Sequence, residues 1–503
     1  MDKYLMGMDI GTSSCKVAIF DTKGEVVAQT NGEYHTYYPQ EGFVEQNPEE
    51  WWNAVCEASK LCIQKANINP EQIAGVGVAG QSWSAIAVDV DGNVLVNNPI
   101  WMDTRSSDIC KILTNQLGPQ RIFELSGNSL QPTYTTGKII YYKLHHPAVY
   151  ERIFAILQSN SYIVYKLTGE FSQDKSQGYG IHCYDMKEGT WDQDMCAQLG
   201  IKASILPKIY ECSDIVGSIN KTAAEKSGLL EGTKVVAGGL DAACATLGVG
   251  VIHNGQTQEQ GGQAGGMSIC IDTYKADPRL IMSNHVVPGK WLLQGGTTGG
   301  GGVMRWVERE LGDRGTAKER GLSSFDYLNE IAAAVPAGSD GVTFLPYMAG
   351  ERSPIWNPYA KGVYYGLDFS KTRGHMVRSS MEGVAYSLKH NLDIAKDAGA
   401  SVKELVATGG SANSLLWTQI KSDVTGKDII VPASDEATPL GAAILAGVGV
   451  GIYDSFEDAV RRCVTIKRMH TANKDNQLTY GQGYKKYLKL YDLLEDMMQP
   501  QEN

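Results

Sequence analysis

Three separated turns in this chain combine small residues with acids in a way that suits phosphate chemistry. The first is MDIGTSSCK, residues 8–16. Asp9 leaves an apolar strand, Gly11, Thr12, Ser13 and Ser14 make the turn, and Lys16 returns. An ordinary hairpin turn needs a glycine and a polar residue or two. It does not need an acid at the strand end, hydroxyls in series and a cation. Those groups supply N–H and O–H donors for phosphate oxygens, and Asp9 is an oxygen ligand that could hold Mg2+ through water. The second turn is VVAGGLDAACATLG, where Asp241 stands between a strand and a helix. It reads either as a helix N-cap, which Asp often fills, or as a general base for a hydroxyl proton in phosphoryl transfer. The third is LVATGGSANSLLW, where Gly409 and Gly410 end a strand and 411–413 open a helix. It is either a plain strand–helix turn or one that lets a nucleotide lie against bare backbone.

Other glycine patterns carry less. GVGVAG at 75–80 matches G-x-G-x-x-G literally, but it lies inside an apolar strand and more strand follows, so it reads as a packed strand. GVGVGI near Gly447 reads as a helix end. No G-x-x-x-x-G-K-[ST] exists, which excludes a P-loop, and the nine histidines contain no H-E-x-x-H zinc motif. GGTTGGGGVMRW has six glycines in its first eight residues. Each glycine costs about 0.5–1 kcal/mol in a regular element. The expectation is a loop, Gly300 included, that passes close to a nucleotide.

The elements around these turns mix α with β. Residues 4–9, 16–21 and 25–30 have the pattern of a three-stranded meander. A helix is expected after Asn47, with Pro48 at its first position and Glu49 and Glu50 at its positive end. The stretch from about 105 to 230 is mostly helical in pattern. QTQEQGGQAGGMSICID then repeats the opening theme of strand, small-residue turn, strand, which suggests a duplicated architecture with a boundary near 248–254. The final helix carries an apolar face of Tyr484, Tyr487, Leu488, Tyr491, Leu494 and Met498.

The bulk numbers narrow the function class. The chain has 503 residues, 43% of them apolar and 20% charged, as in a soluble globular protein. Net charge is −11, with a sequence pI of about 5.4, which argues against a nucleic-acid partner. No apolar run is long enough to span a bilayer, so no membrane role is expected. Ten scattered cysteines form no C-x-x-C pair, and no secretory h-region or cleavage site opens the chain. The expected location is cytoplasmic.

Taken in order, the three turns look like the phosphate 1, phosphate 2 and adenosine segments of the actin-like, ribonuclease H-like superfold of hexokinase and Hsp70. Within it the chain resembles the FGGY family of carbohydrate kinases over nearly its whole length. GVYYGLDFSKTRGHMVRSSMEG, 362–383, fits the C-terminal signature, and GERSPIWNP, 350–358, fits the segment before it. DIGTSSCK, EQNPEEWW, AGQ, IWMDTR and VVAGGLDAA look most like the xylulokinases. The resemblance implies a two-lobed α/β protein with a central cleft. Domain 1–248 would bind sugar and carry the base, and 249–503 would bind nucleotide, with the last helix free to pack back on the first domain.

The resemblance also implies roles. Asp241 would be the base, and Asp9 would help place metal and phosphates. Gly11, Thr12, Ser13 and Lys16 would face the γ-phosphate. Gln81, Ser82, Trp83, Trp101, Asp103 and Arg105 would line the sugar site. Gly262 and Gln263 would form the second phosphate loop, and Gly409, Gly410 and Asn413 the adenosine side. ATP, Mg2+ and a ketopentose, D-xylulose first, would be the reactants, and a homodimer is left open. Four residues, at three places, depart from the pattern. Ser82-Trp83 replaces Met-His after GQ, Gln263 replaces a threonine, and Tyr141 stands for a tryptophan in TYTTGKIIYYK. The first departure leaves another ketose or a polyol open (ribulose, L-xylulose, erythritol or glycerol type). The second motivates a non-catalytic sugar sensor. An ATP-driven switch is a fourth reading, disfavoured by the polar and aromatic residues at 83, 101 and 103.

Overall fold

The computed structural model describes residues 2–499. They form two compact units. Of these, the first comprises residues 2–252, 272–292 and 436–465, and the second comprises 253–271, 293–435 and 466–499. The first unit thus begins as expected but takes two later segments besides the stretch up to 248.

The first unit is built on one sheet. Strands β1 (Tyr4–Ile10), β2 (Ser14–Asp21) and β3 (Val26–Glu33) form the expected antiparallel meander. β4 (Ile73–Gly80) runs parallel to β1, and β5 (Ile215–Ser218) is antiparallel to β6 (Lys234–Val236). β6 and β7 (Gly239–Leu240) run parallel to β4. The order is β5-β6-β4-β1-β2-β3. The helix Pro48–Ala66 packs on the meander, with the Asn47 side chain accepting from the Glu49 N–H. Its Trp51, Trp52, Val55 and Cys62 join Met6, Met8, Val17 and Val76 in one core.

The glycines of GVGVAG have a packing cause. The helix Ala437–Gly449 lies directly on β1 and β4. A Cβ at Gly7 would sit 1.9 Å from the Pro439 carbonyl oxygen, and one at Gly77 1.9 Å from that of Ala442. The same helix meets the helix Asp241–Gly248 backbone to backbone, since a Cβ at Gly441 would fall 1.8 Å from the Cys244 carbonyl oxygen. This close packing places the segment 436–465 in the first unit.

The second unit repeats the plan. β8 (Gln256–Gly261) is antiparallel to β9 (Gly265–Ile271), whose other neighbour is β10 (Trp291–Thr297). β11 (Glu404–Thr408) is parallel to β8, β12 (Ile429–Pro432) is parallel to β11, and β13 (Ile466–His470) is antiparallel to β12. The order β10-β9-β8-β11-β12-β13 matches β3-β2-β1-β4-β6-β5 position for position. The last helix, Gln477–Met498, packs within the second unit instead of returning to the first. Tyr480, Tyr484 and Tyr487 bury against Tyr386 and Tyr347, and the Tyr347 and Tyr487 hydroxyls meet at 2.5 Å. All ten cysteines are buried and none is in a disulfide among the described residues. Among the described residues no helix is long and apolar enough to cross a membrane.

Candidate functional site

The β1–β2 hairpin opens the first unit's site. Its register sets Asp9 opposite Lys16. The turn is braced by long-range bonds. The Tyr34 hydroxyl donates to the Gly11 carbonyl at 2.5 Å, and Gln46 Nε2 donates to the Thr12 carbonyl at 2.6 Å. Trp101 Nε1 donates to Thr12 Oγ1 at 3.0 Å. Ser13 at the tip is exposed. Lys16 Nζ lies 2.8 Å from Glu436 Oε2, at the start of the Ala437–Gly449 helix.

Two carboxylates face each other electrically. Asp9 Oδ1 is buried with no hydrogen-bond partner. Burial pushes the Asp9 pKa up to about 8, with the Asp241 and Glu436 charges adding and Lys16 opposing. Asp241 is the first residue of its helix, with Leu240 at the N-cap, so the capping alternative for Asp241 does not hold. Its Oδ1 accepts the Ala242 N–H at 2.6 Å. Burial raises its pKa to about 6, against that one bond. By area both acids are only half-buried, so the pair keeps a route to solvent.

An aromatic wall stands beside Asp241. Tyr179 is buried, and the charge on Asp241 reaches its hydroxyl, as do Ser82 and Trp83. The Trp83 ring stacks on Tyr134 at 4.2 Å, and Tyr179 meets the two rings edge-on at 5.9 and 6.0 Å. Gln81 Oε1 is buried and unpartnered, and the Trp83 indole is turned toward the Tyr179 hydroxyl. Gln81 Nε2 donates to Gln46 Oε1 at 2.9 Å, so one glutamine, Gln46, ties Gln81 to the Thr12 hairpin.

Asp103 and Arg105 are not available as expected. Asp103 is fully buried and accepts from the Val44 N–H at 2.7 Å and from Arg105 Nε at 2.9 Å. Arg105 also bonds Glu45 at 2.7 Å and lies 4.0 Å over the Phe43 ring. Arg105 is a fork of donors, and its Nε and Nη2 are both taken by carboxylates, which makes it a structural anchor. Trp101 serves as the brace on Thr12.

The second unit contains a cavity of about 450 Å³, within the range of small-molecule sites. Gly262, Gln263, Gly410 and Asn413 line it, all expected from sequence. So do Arg305, Phe325, Asn329 and Trp417, which were not singled out. Gln263 Oε1 accepts from the Arg305 guanidinium. Behind the 410–413 turn, buried Lys421 Nζ donates to Ser411 Oγ at 2.8 Å and pairs with Glu259 at 2.6 Å. Gly409 backs against the sheet (φ 78°), and a Cβ there would fall 2.9 Å from the Gly261 carbonyl carbon. At Gly410 a Cβ would meet nothing within 4 Å.

The glycine-rich run is different from its expectation. Gly295 to Thr297 end β10, and 301–302 begin the helix Gly301–Leu311. The glycines are needed because backbones interlock. A Cβ at Gly300 would lie 2.3 Å from the Ala264 carbonyl carbon, and one at Gly299 2.4 Å from the Pro346 carbonyl oxygen. The Gly301 N–H donates to the Gly262 carbonyl at 2.7 Å. Gly301 reaches the cavity, whereas Gly300 packs on the neighbouring turn.

Residues 4–248 match the N-terminal domain, and 271–450 the C-terminal domain, of the FGGY family of carbohydrate kinases. The chain belongs to this family. It is a carbohydrate kinase with the two-domain FGGY fold. This FGGY kinase is 29% identical to the xylulose kinase of Bacillus subtilis (strain 168), over 98% of each chain. It is 30% identical to the gluconokinase of Bacillus licheniformis, over 99% of this chain and 97% of that one. Among solved structures it superposes on the xylulose kinase of Rhodospirillum rubrum with a TM-score of 0.91 and 28% identity, covering 99% and 100% of the two chains. The gluconate kinase of Lactobacillus acidophilus gives 0.90 and 26%, covering 98% of each.

Proposed function

We propose that this FGGY kinase transfers the γ-phosphate of ATP to a hydroxyl of a ketopentose, D-xylulose first, giving D-xylulose 5-phosphate. One observation carries the reading. Asp241 is a half-buried acid that caps no helix, titrates near working pH and stands beside an aromatic, hydrogen-bonding wall. A general base works best with a pKa near the operating pH.

The residues divide the work as follows. Asp241 takes the acceptor hydroxyl's proton at its carboxylate. Trp83, backed by the buried Tyr134 ring, offers an apolar face to sugar carbons, and Gln81 Oε1 offers an acceptor to its hydroxyls. The hairpin donors and Lys16 take phosphate oxygens. Gly262, Gln263, Gly410 and Asn413 hold the nucleotide in the second unit's cavity. Phosphoryl transfer then requires the terminal phosphate in line with the acceptor oxygen. The orphaned Asp9 oxygen fits a hydrated divalent cation, with Asp241 as the second acid, although among the described residues no three-ligand metal cluster is present. Bound there through water, Mg2+ would spread the charge of the transferring phosphate.

Gluconate is the second reading, favoured by relatives named gluconokinase. The chemistry of the first unit favours a neutral sugar. A carboxylate there would face Asp9 and Asp241, while Arg105 and Lys138 already hold partners. The test is ADP release across D-xylulose, D-ribulose, L-xylulose, erythritol, glycerol and gluconate. D-Xylulose should give the highest kcat/KM. Fastest turnover of gluconate would overturn the neutral-sugar reading, and no acceleration by any of them would favour a nucleotide-driven switch.

A further inference from the structure

Lys138 is fully buried on the helix Thr135–His145. A buried lysine is rare, because its charge loses hydration and must be repaid by bonds. Here the bonds are to two backbone carbonyls. Nζ donates to the Trp83 carbonyl at 2.7 Å and to the Ile100 carbonyl at 2.8 Å. The two acceptors belong to separate segments, GQSW and IWMDTR, that meet nowhere else in sequence.

Both acceptors sit next to something that matters. Trp83 is held at φ 60°, a left-handed backbone that a bulky residue seldom adopts. Such strain persists only where surrounding bonds over-determine it, and it collects at ligand sites. The strained residue presents a half-exposed ring, and that ring stacks on Tyr134, one residue ahead of the Lys138 helix. Ile100 precedes Trp101, whose indole donates to Thr12 Oγ1. A single ammonium therefore joins the aromatic wall to the brace of the phosphate hairpin.

We propose that Lys138 is the positioning residue of the acceptor-sugar subsite, pinning the Trp83 and Ile100 carbonyls so that the Trp83 ring is fixed as the wall against which a neutral sugar packs. This rests on the sugar-kinase reading above. Lys138 touches no substrate; it acts through Trp83. Its burial also pulls its pKa down to about 7, with Asp103 and Cys110 opposing and Arg105 adding. The ammonium is thus held by those two carbonyls, with the charge of buried Asp103 favouring it.

The experiment compares wild type with Lys138→Met and Lys138→Gln, whose amide keeps two donors. Steady-state kinetics are taken against D-xylulose and ATP separately, beside a melting curve. The expected result is a D-xylulose KM raised about tenfold or more in the Met variant, an intermediate rise in the Gln variant, and kcat and ATP KM within about threefold of wild type. A purely structural lysine would lower the melting point and leave the sugar KM where it was. Folded variants with unchanged sugar KM overturn the proposal. Loss of the fold in both variants also overturns it, by making Lys138 a stability residue. If wild type itself phosphorylates no sugar, the functional reading has failed and the Lys138 assignment falls with it, an outcome distinct from the other two.

Discussion

Asp241 raises the pKa of Asp9: two half-buried carboxylates share one recess, and the charge on the second helps hold the proton on the first up to about pH 8. Asp241 itself titrates near 6. Both values lie above the unfolded value of 3.8. The folded state therefore binds more protons than the unfolded state between about pH 4 and 8, and stability falls as pH rises through that window. In the protein free of nucleotide and metal, Asp9→Asn should melt about 2 °C above wild type at pH 8, with the gain shrinking toward pH 4. Calorimetry across pH reads this directly. A variant that melts lower than wild type at pH 8 would contradict the coupled-acid picture.

Asp241→Asn keeps the shape of the acid and removes the base. Sugar binding by titration calorimetry should stay within about threefold, while turnover in a coupled ADP assay drops about 10²–10⁴-fold. Turnover near wild type would remove Asp241 from the base role.

The adjacent glycines Gly409 and Gly410 should respond oppositely. Gly410 has open space before it and lines the cavity, so Gly410→Val should leave the melting point alone and raise the ATP KM about tenfold. Gly409 has positive φ and the β8–β9 turn at its back, so Gly409→Ala should destabilise by about 1–3 kcal/mol. Melting curves and ATP kinetics on the two variants separate the outcomes. Equal ATP KM effects would count against the cavity as the nucleotide site.

Arg105→Gln tests whether the IWMDTR segment binds sugar or holds structure. Breaking a buried ion pair costs about 3–5 kcal/mol. The expectation is a clear fall in melting temperature with D-xylulose KM within about threefold. A large KM change in a protein of normal stability would return Arg105 to the sugar site.

Local signals carried the framework. The meander, the Asn47 cap, the strand–acid–helix at Asp241 and the repeated strand theme all depend on neighbours in sequence, and each is present. Residue type misled where the partner lay elsewhere. Asp103 and Arg105 have sugar-binding chemistry, but Val44 and Glu45 had already taken it. The glycines at 300–302 were ascribed to a ligand because the turn they interlock with, at 262–265, lies far away in sequence. Lys138, Tyr179, Gln46 and Glu436 were not singled out for a site at all. They act through partners far off in sequence, 34 residues away in the Gln46–Thr12 bond and 55 in the Lys138–Trp83 bond, and no periodicity marks such pairs.

The helices that begin at Asp241 and just after Glu436 touch through bare backbone at Gly441, and the second of them rests on strands stripped of side chains at Gly7 and Gly77. Nothing compressible lies between them. The separation of the acids at their heads is therefore gauged by carbonyl radii, the least adjustable dimension a polypeptide has. A single methyl at Gly441, which meets no reactant, would be transmitted to the chemistry as a change of spacing.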